Sequence, residues 1–78
     1  MLSGVRRSLS AVQRDVGLNL RAARLGAGFS QEALALAAEV DRTYVSQIER
    51  GIGNPSIGVL VRLAACLSVD VFDLLQRR

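Results

Sequence analysis

The chain contains no histidine, and it has one cysteine and one proline among 78 residues. Without histidine, and with Cys66 as the only thiol, no set of side chains could close a zinc site, and a disulfide framework is excluded. Aromatic residues make up 4% of the chain, and no segment shows the β-branched alternation typical of a strand. The composition predicts an all-α protein from a reducing compartment that needs neither metal nor cofactor.

Long apolar runs are also absent. No run approaches the roughly 20 residues that span a bilayer, because Arg, Glu, Asp or Gly interrupts every apolar stretch. We therefore expect a soluble, cytoplasmic protein with no membrane partner. We also expect no small-molecule ligand, because the sequence shows no effector pocket. A chain this short buries only roughly 60% of its unfolded surface, so little protein could support a catalytic cleft. Cys66, the one conceivable nucleophile, lies in an apolar segment without a histidine base, and we expect no enzyme activity.

The basic residues are all arginine, ten against seven acidic residues, which gives a net charge of +3. Arginine pairs bidentately with phosphates and guanine edges, although a compositional bias of the genome explains the same excess. Residues 1–10 carry Arg6 and Arg7 and no acid, and this pattern predicts a flexible basic arm before a domain over residues 11–78. Such an arm could follow a minor groove or remain a solvated tail.

Apolar spacing predicts two helices in the first half of the chain. Ser10 and Gln13 have capping-box spacing, and the first helix should run from there to near Gly28 with Gly17 as its weak point. Its apolar stripe comprises Val12, Val16, Leu20, Ala23 and Ala27. Ser30 should cap a second helix over residues 31–38, whose inward face would use Leu34 with Ala37 or Ala38.

The next helix is predicted to be unusually polar. Asp41 should cap it, Gly51 should end it, and Val45 and Ile48 are its only fully apolar positions. Turn residues fill positions 51–55, after which Ser56 or Asn54 could cap a fourth helix that runs from Ile57 to about Leu67. Asp70 should cap a last short helix.

The C-terminal third is apolar on two sides. One stripe comprises Ile57, Leu60, Ala64 and Leu67, and a second comprises Val59, Leu63 and Cys66. A small domain has too little core to cover both stripes, so we expect a homodimer. Its predicted interface residues are Val59, Leu63, Cys66, Val71, Phe72 and Leu75.

Two short helices joined by a tight turn, the second of them polar, are typical of a helix-turn-helix over about residues 30–51. The helix that Asp41 should cap is the second helix of this motif. Its polar face, called the polar strip below, comprises Arg42, Thr43, Ser46, Gln47 and Arg50. Arginine matches guanine, glutamine matches adenine, and hydroxyls pair with either. An ordinary solvated helix face would look the same, so the spacing alone leaves both interpretations open.

From Val16 to Leu75 the chain resembles the Cro/phage-repressor (XRE) family of helix-turn-helix regulators. The resemblance lies in residues 29–35 (FSQEALA), 44–51 (YVSQIERG) and 54–57 (NPSI). Residues 41–50 look most like controller proteins of restriction-modification systems. The resemblance implies a five-helix, lambda-repressor-like domain that dimerises through its last helices and binds a pseudo-palindromic operator in double-stranded DNA.

The resemblance also implies residue roles. Base contacts would come from Arg42, Thr43, Ser46 and Gln47, and phosphate contacts from Gln31, Tyr44, Arg50 and Asn54. Arg24 and Glu49 would form a structural salt bridge. Other roles stay open. Tyr44 could serve packing, Gln31 could merely be a neighbour of the cap, Asn54 could form the turn, and Glu49 could contact RNA polymerase.

Two positions depart from the family pattern. Glu39 stands in the left-handed turn where the family usually has glycine, at a cost of about 1 kcal/mol, and we expect a distorted turn. Gly53 stands where many relatives carry a basic residue, which removes one DNA contact and weakens the likeness to restriction controllers.

The function predicted by this pattern is sequence-specific transcriptional regulation by a homodimer that blocks RNA polymerase or contacts it. The alternative is an antitoxin-like or antirepressor module that docks a partner protein on its apolar C-terminal helices.

Overall fold

The computed structural model describes residues 6–78, which form five helices and contain no strand. The helices are α1 (Leu9–Gly26), α2 (Gln31–Ala38), α3 (Arg42–Glu49), α4 (Ile57–Cys66) and α5 (Val71–Leu74). This architecture confirms the predicted all-α fold. Within the described residues, no helix is both long enough and apolar enough to cross a membrane.

Side-chain caps set where the helices begin. Ser30, Asp41, Ser56 and Asp70 each accept a backbone N–H at the start of α2 to α5. The first helix differs from its prediction, because Ser8 rather than Ser10 is its cap and accepts from the Ala11 amide at 3.1 Å. Helix α1 therefore starts two residues earlier than its capping-box spacing suggested, and Gln13 is free for another contact.

One apolar core joins the helices, with α1 packed on α3 and α5, and α2 packed on α3 and α4. The predicted pair Val45 and Ile48 is fully buried, as is Leu34, and Ala38 rather than Ala37 faces inward. Burying one such large aliphatic side chain stabilises the fold by about 1.5–3 kcal/mol. The largest fully buried side chains are Leu20, Leu34, Val45, Ile48, Leu63 and Leu74.

Glu39 occupies the left-handed region at the end of α2, with φ 59° and ψ 45°. Its N–H donates to the carbonyl of Leu36 at 3.2 Å, and the Val40 N–H donates to that of Ala35 at 2.9 Å. These bonds satisfy two of the last four carbonyls of α2. The turn has ordinary left-handed geometry, so the expected distortion was wrong.

Arg7, two residues before α1, is bound to the domain. Arg7 donates through Nη1 to Asp15 Oδ2 at 2.8 Å and through Nη2 to the Leu75 carbonyl at 2.9 Å. Arg7 is therefore not part of the free arm that the sequence suggested, and Leu9 and Ser10 are helical. Arg6 is exposed, and residues 1–5 of the predicted arm lie outside the described residues.

Candidate nucleic-acid interface

The polar strip of α3 lies on the surface of the domain. Arg42, Thr43, Gln47 and Arg50 are exposed and Ser46 is half-buried, while Val45 and Ile48 anchor the opposite side of the helix in the core. With its side chains an α-helix is about 10–12 Å across, which fits the width of about 12 Å of the DNA major groove. The strip presents two guanidinium groups, one carboxamide and two hydroxyls on one helix face.

A buried ion pair fixes α3 against α1. Arg24 donates through Nε to Glu49 Oε2 at 2.6 Å and through Nη2 to Oε1 at 3.0 Å. Its Nη1 donates to the Phe29 carbonyl at 2.8 Å. The hydrogen bond that Arg24 donates to the Glu49 carboxylate raises the pKa of Arg24 above its ordinary value. The structure therefore brings together the two residues that the resemblance paired.

The Glu49 carboxylate is inaccessible to a partner protein, because its side chain is only 3% exposed. The alternative role for this residue, a contact with RNA polymerase, was therefore wrong. Its charge is compensated by Arg24, which explains how an acid is accommodated at the end of a helix whose exposed face presents donors.

Gln31 joins this ion pair. Its Nε2 donates to Glu49 Oε1 at 3.1 Å, so the first residue of α2 and the last residue of α3 share one carboxylate. A carboxamide nitrogen carries two hydrogens, and one of them remains for another acceptor. The amides and positive dipole at the start of α2 favour an anion at the same place.

Gly17 marks the closest approach of α1 to α3. A Cβ added there would lie 2.5 Å from the Ile48 carbonyl oxygen and 2.8 Å from that of Glu49. The two helices thus meet backbone to backbone. The position interpreted as the weak point of α1 is required by its packing against α3.

Two more predicted phosphate contacts differ in exposure. Asn54 is exposed in the loop after α3, whereas Tyr44 is half-buried and packs against the core. Gly53, the residue before Asn54, is buried. A Cβ at this position would lie 3.0 Å from the Ile48 amide nitrogen. A side chain at position 53 would therefore be crowded against α3.

The predicted dimer interface is accessible except at one residue. Phe72 is 67% exposed, and Val59, Cys66, Val71 and Leu75 are half-buried. Leu63 is fully buried in the core of this one chain and was wrongly assigned to the interface. The core covers Leu60 and Leu63 but leaves Ile57, a member of the first predicted stripe, 78% exposed.

A polar network between α1 and the C-terminus was not predicted. Asp15 is buried and paired with Arg7, which lowers the pKa of its carboxyl group. Asn19 donates to the carbonyls of Leu74 at 3.0 Å and Gln76 at 2.7 Å. The sequence signal that could have indicated this network is the acid Asp15 and the amide Asn19 next to the apolar stripe of α1.

No group of residues in the described part of the chain could hold a metal ion.

Comparison with known proteins identifies the family. Residues 20–74 match the family model HTH_3, described as helix-turn-helix. The chain is 42% identical over 57 residues to a hypothetical transcription factor of Neisseria meningitidis, covering 73% of this chain and 54% of that protein. It is 40% identical over 61 residues to the control protein C.BamHI of Bacillus amyloliquefaciens, covering 77% and 75% of the two chains.

A solved structure of the biofilm regulator SinR in complex with DNA is also similar, with a TM-score of 0.75 and 39% identity over 78% of this chain and 98% of that one; SinR is a Bacillus subtilis protein. This chain belongs to the HTH_3 (XRE) helix-turn-helix family, whose members are DNA-binding transcriptional regulators. It spans about half the length of the Neisseria relative.

Proposed function

We propose that the protein is a homodimeric transcriptional regulator that binds a pseudo-palindromic operator through α3. The observation that carries this proposal is the exposed polar strip, which is fixed at its C-terminal end by the Arg24–Glu49 pair. Arg42 and Gln47 would specify bases, and Thr43 and Ser46 would add hydroxyl contacts. Because a regulator of this kind must reach DNA, the proposal includes a cytoplasmic location.

Phosphate contacts would orient α3 in the groove. Gln31 and the amides of the first turn of α2 would clamp one side, and Arg50, Tyr44 and Asn54 the other. The exposed arginines at positions 42 and 50 supply the charge for a strong salt dependence. In this proposal, repression follows from covering the promoter and activation from contact with RNA polymerase.

Dimerisation would use the outer faces of α4 and α5. Phe72 on α5 and Ile57 and Val61 on α4 are large apolar side chains that stay exposed in one chain. Two-fold symmetry would place the two α3 helices about 34–36 Å apart, or one turn of DNA. Phe72→Lys should shift sedimentation equilibrium towards the monomer, whereas Leu25→Lys, on α1, should leave it unchanged.

A role as a restriction-modification controller is the finer form of the proposal. It is supported by the likeness to C.BamHI, of which this chain covers 75%. An operator next to restriction and modification genes would support it, and an operator elsewhere would refute it.

Base reading is tested by titrating variants on the duplex that the protein selects from random DNA. Arg42→Ala should cost about 1–3 kcal/mol and relax the preference at one base pair in each half-site, whereas Gln31→Ala should weaken binding to all sequences alike. Arg62→Ala, an exposed arginine on α4, is the matched control. Unchanged affinity and preference in Arg42→Ala would refute the assignment.

A further inference from the structure

The loop that follows α3 is held on α3 by backbone hydrogen bonds. The amides of Ile52 and Gly53 both donate to the Gln47 carbonyl, each at 3.1 Å. Gly53 is buried against the Ile48 backbone, where a Cβ would lie 3.0 Å from the amide nitrogen. Asn54, the next residue, is exposed.

Helix α1 holds the same loop from the other side. Gln13 donates from Nε2 to the Gly53 carbonyl at 2.8 Å, across 40 positions of sequence. One residue further along α1, the Arg14 Cα lies 3.5 Å from the position of a Cβ on Gly51. Gln13 and Arg14 precede the segment that matches the family model, residues 20–74.

We propose that Gln13 is a positioning residue for DNA binding, which fixes the Gly53 peptide and thereby aims Asn54 and the neighbouring amides at a phosphate. This inference rests on the proposed function. The Gly53 carbonyl accepts from the half-buried Gln13 side chain on α1, and the Gly53 N–H donates to the Gln47 carbonyl on α3. Gly53 is therefore held from both sides, by α1 at its carbonyl and by α3 at its amide. A preorganised loop loses less conformational freedom on binding than a mobile one.

The test compares Gln13→Met, which keeps the length of the side chain and removes the donor, with Gln76→Met, an exposed control. We expect Gln13→Met to weaken binding about 3–10-fold, as for the loss of one hydrogen bond. The loss should be equal for the selected duplex and for a scrambled one, because a phosphate contact carries no sequence information. The salt dependence should not change, since Gln13 and Asn54 are both uncharged.

A double-mutant cycle separates positioning from an independent contact. If Gln13 acts through the loop, Asn54→Ala should lose most of its effect in the Gln13→Met background, because the misplaced loop no longer contacts the phosphate. Unchanged affinity in Gln13→Met, or additive losses in the double variant, would overturn the inference.

Hydrogen exchange without DNA tests the clamp separately from the proposed function. In Gln13→Met the amides of Ile52 and Gly53 should exchange faster, while those of Val45 and Ile48 in α3 should not change. Unchanged exchange at Gly53 would overturn the inference even if the protein binds an operator. Faster exchange with unchanged affinity would also overturn it, since Gln13 would then be structural only. A wild-type protein that binds no duplex would overturn the proposed function, and the inference with it.

Discussion

Replacing Gly17 by alanine tests how closely α1 and α3 are packed. The new Cβ would lie 2.5 Å from the Ile48 carbonyl oxygen, about 0.9 Å short of the 3.4 Å at which ordinary contact begins. The neighbouring atoms are backbone, so the two helices must move apart. Overpacking of this kind costs about 1–3 kcal/mol, and we expect the upper end because no side chain can rotate away.

Alanine also has a favourable effect in a helix, of about 0.5–1 kcal/mol relative to glycine. The net loss predicted for Gly17→Ala is therefore about 2 kcal/mol, or a fall in Tm of roughly 8–16 °C for a domain of this size. Gly26→Ala is the matched control, because a Cβ there meets nothing within 4 Å. It should be neutral or stabilising by up to about 1 kcal/mol.

Urea and thermal denaturation followed by circular dichroism measure both variants. A Gly17→Ala protein as stable as the wild type would refute the close packing of α1 on α3. Equal changes in Gly17→Ala and Gly26→Ala would refute it as well, because helix propensity alone would then account for both.

Three further predictions concern the ion pairs and the turn. Glu49→Ala should destabilise the domain by about 3–5 kcal/mol in urea, because it leaves Arg24 buried and unpaired; a loss below about 1 kcal/mol would contradict this. Asp15 has a folded-state pKa below its unfolded value, chiefly through the hydrogen bond from Arg7, so its ionised form favours the folded state. Its contribution to stability is present above the unfolded pKa near 3.8 and is lost as the pH falls through the lower folded value. Acid melts should show a shallower loss for Asp15→Asn than for the wild type, and parallel curves would contradict this. Glu39→Gly should raise the free energy of unfolding by up to about 1 kcal/mol, since glycine adopts φ 59° without strain, and a loss of stability would contradict this.

Local patterns predicted the helix-turn-helix most accurately. Ser30 and Asp41 are caps next to short periodic segments, and α2 and α3 have the bounds that these signals indicate. The pair Val45 and Ile48 also defined which face of α3 is exposed, because only two apolar positions were available.

Features that depend on distant parts of the chain were not predictable in the same way. Ser8 and Ser10 can both cap a helix, and the capping-box spacing of Ser10 and Gln13 predicted the wrong one. Gln13 instead donates to the Gly53 carbonyl, 40 residues away in sequence. Gly17 is needed because α1 and α3 meet backbone to backbone there, and this contact joins residues far apart in sequence. Helix α4 is apolar on two sides, and sequence alone could not tell that Leu63 faces inward while Ile57 faces outward.

The central claim, that the protein reads an operator as a dimer through α3, is tested most directly by selecting random duplex DNA on the purified chain. The bound complex is sized by light scattering at the same salt concentration. The proposal predicts an enriched inverted repeat, with half-sites about 10–11 bp apart, bound by two chains. No enriched sequence, together with a monomer that retains a co-purified partner protein, would contradict it and favour the protein-docking alternative.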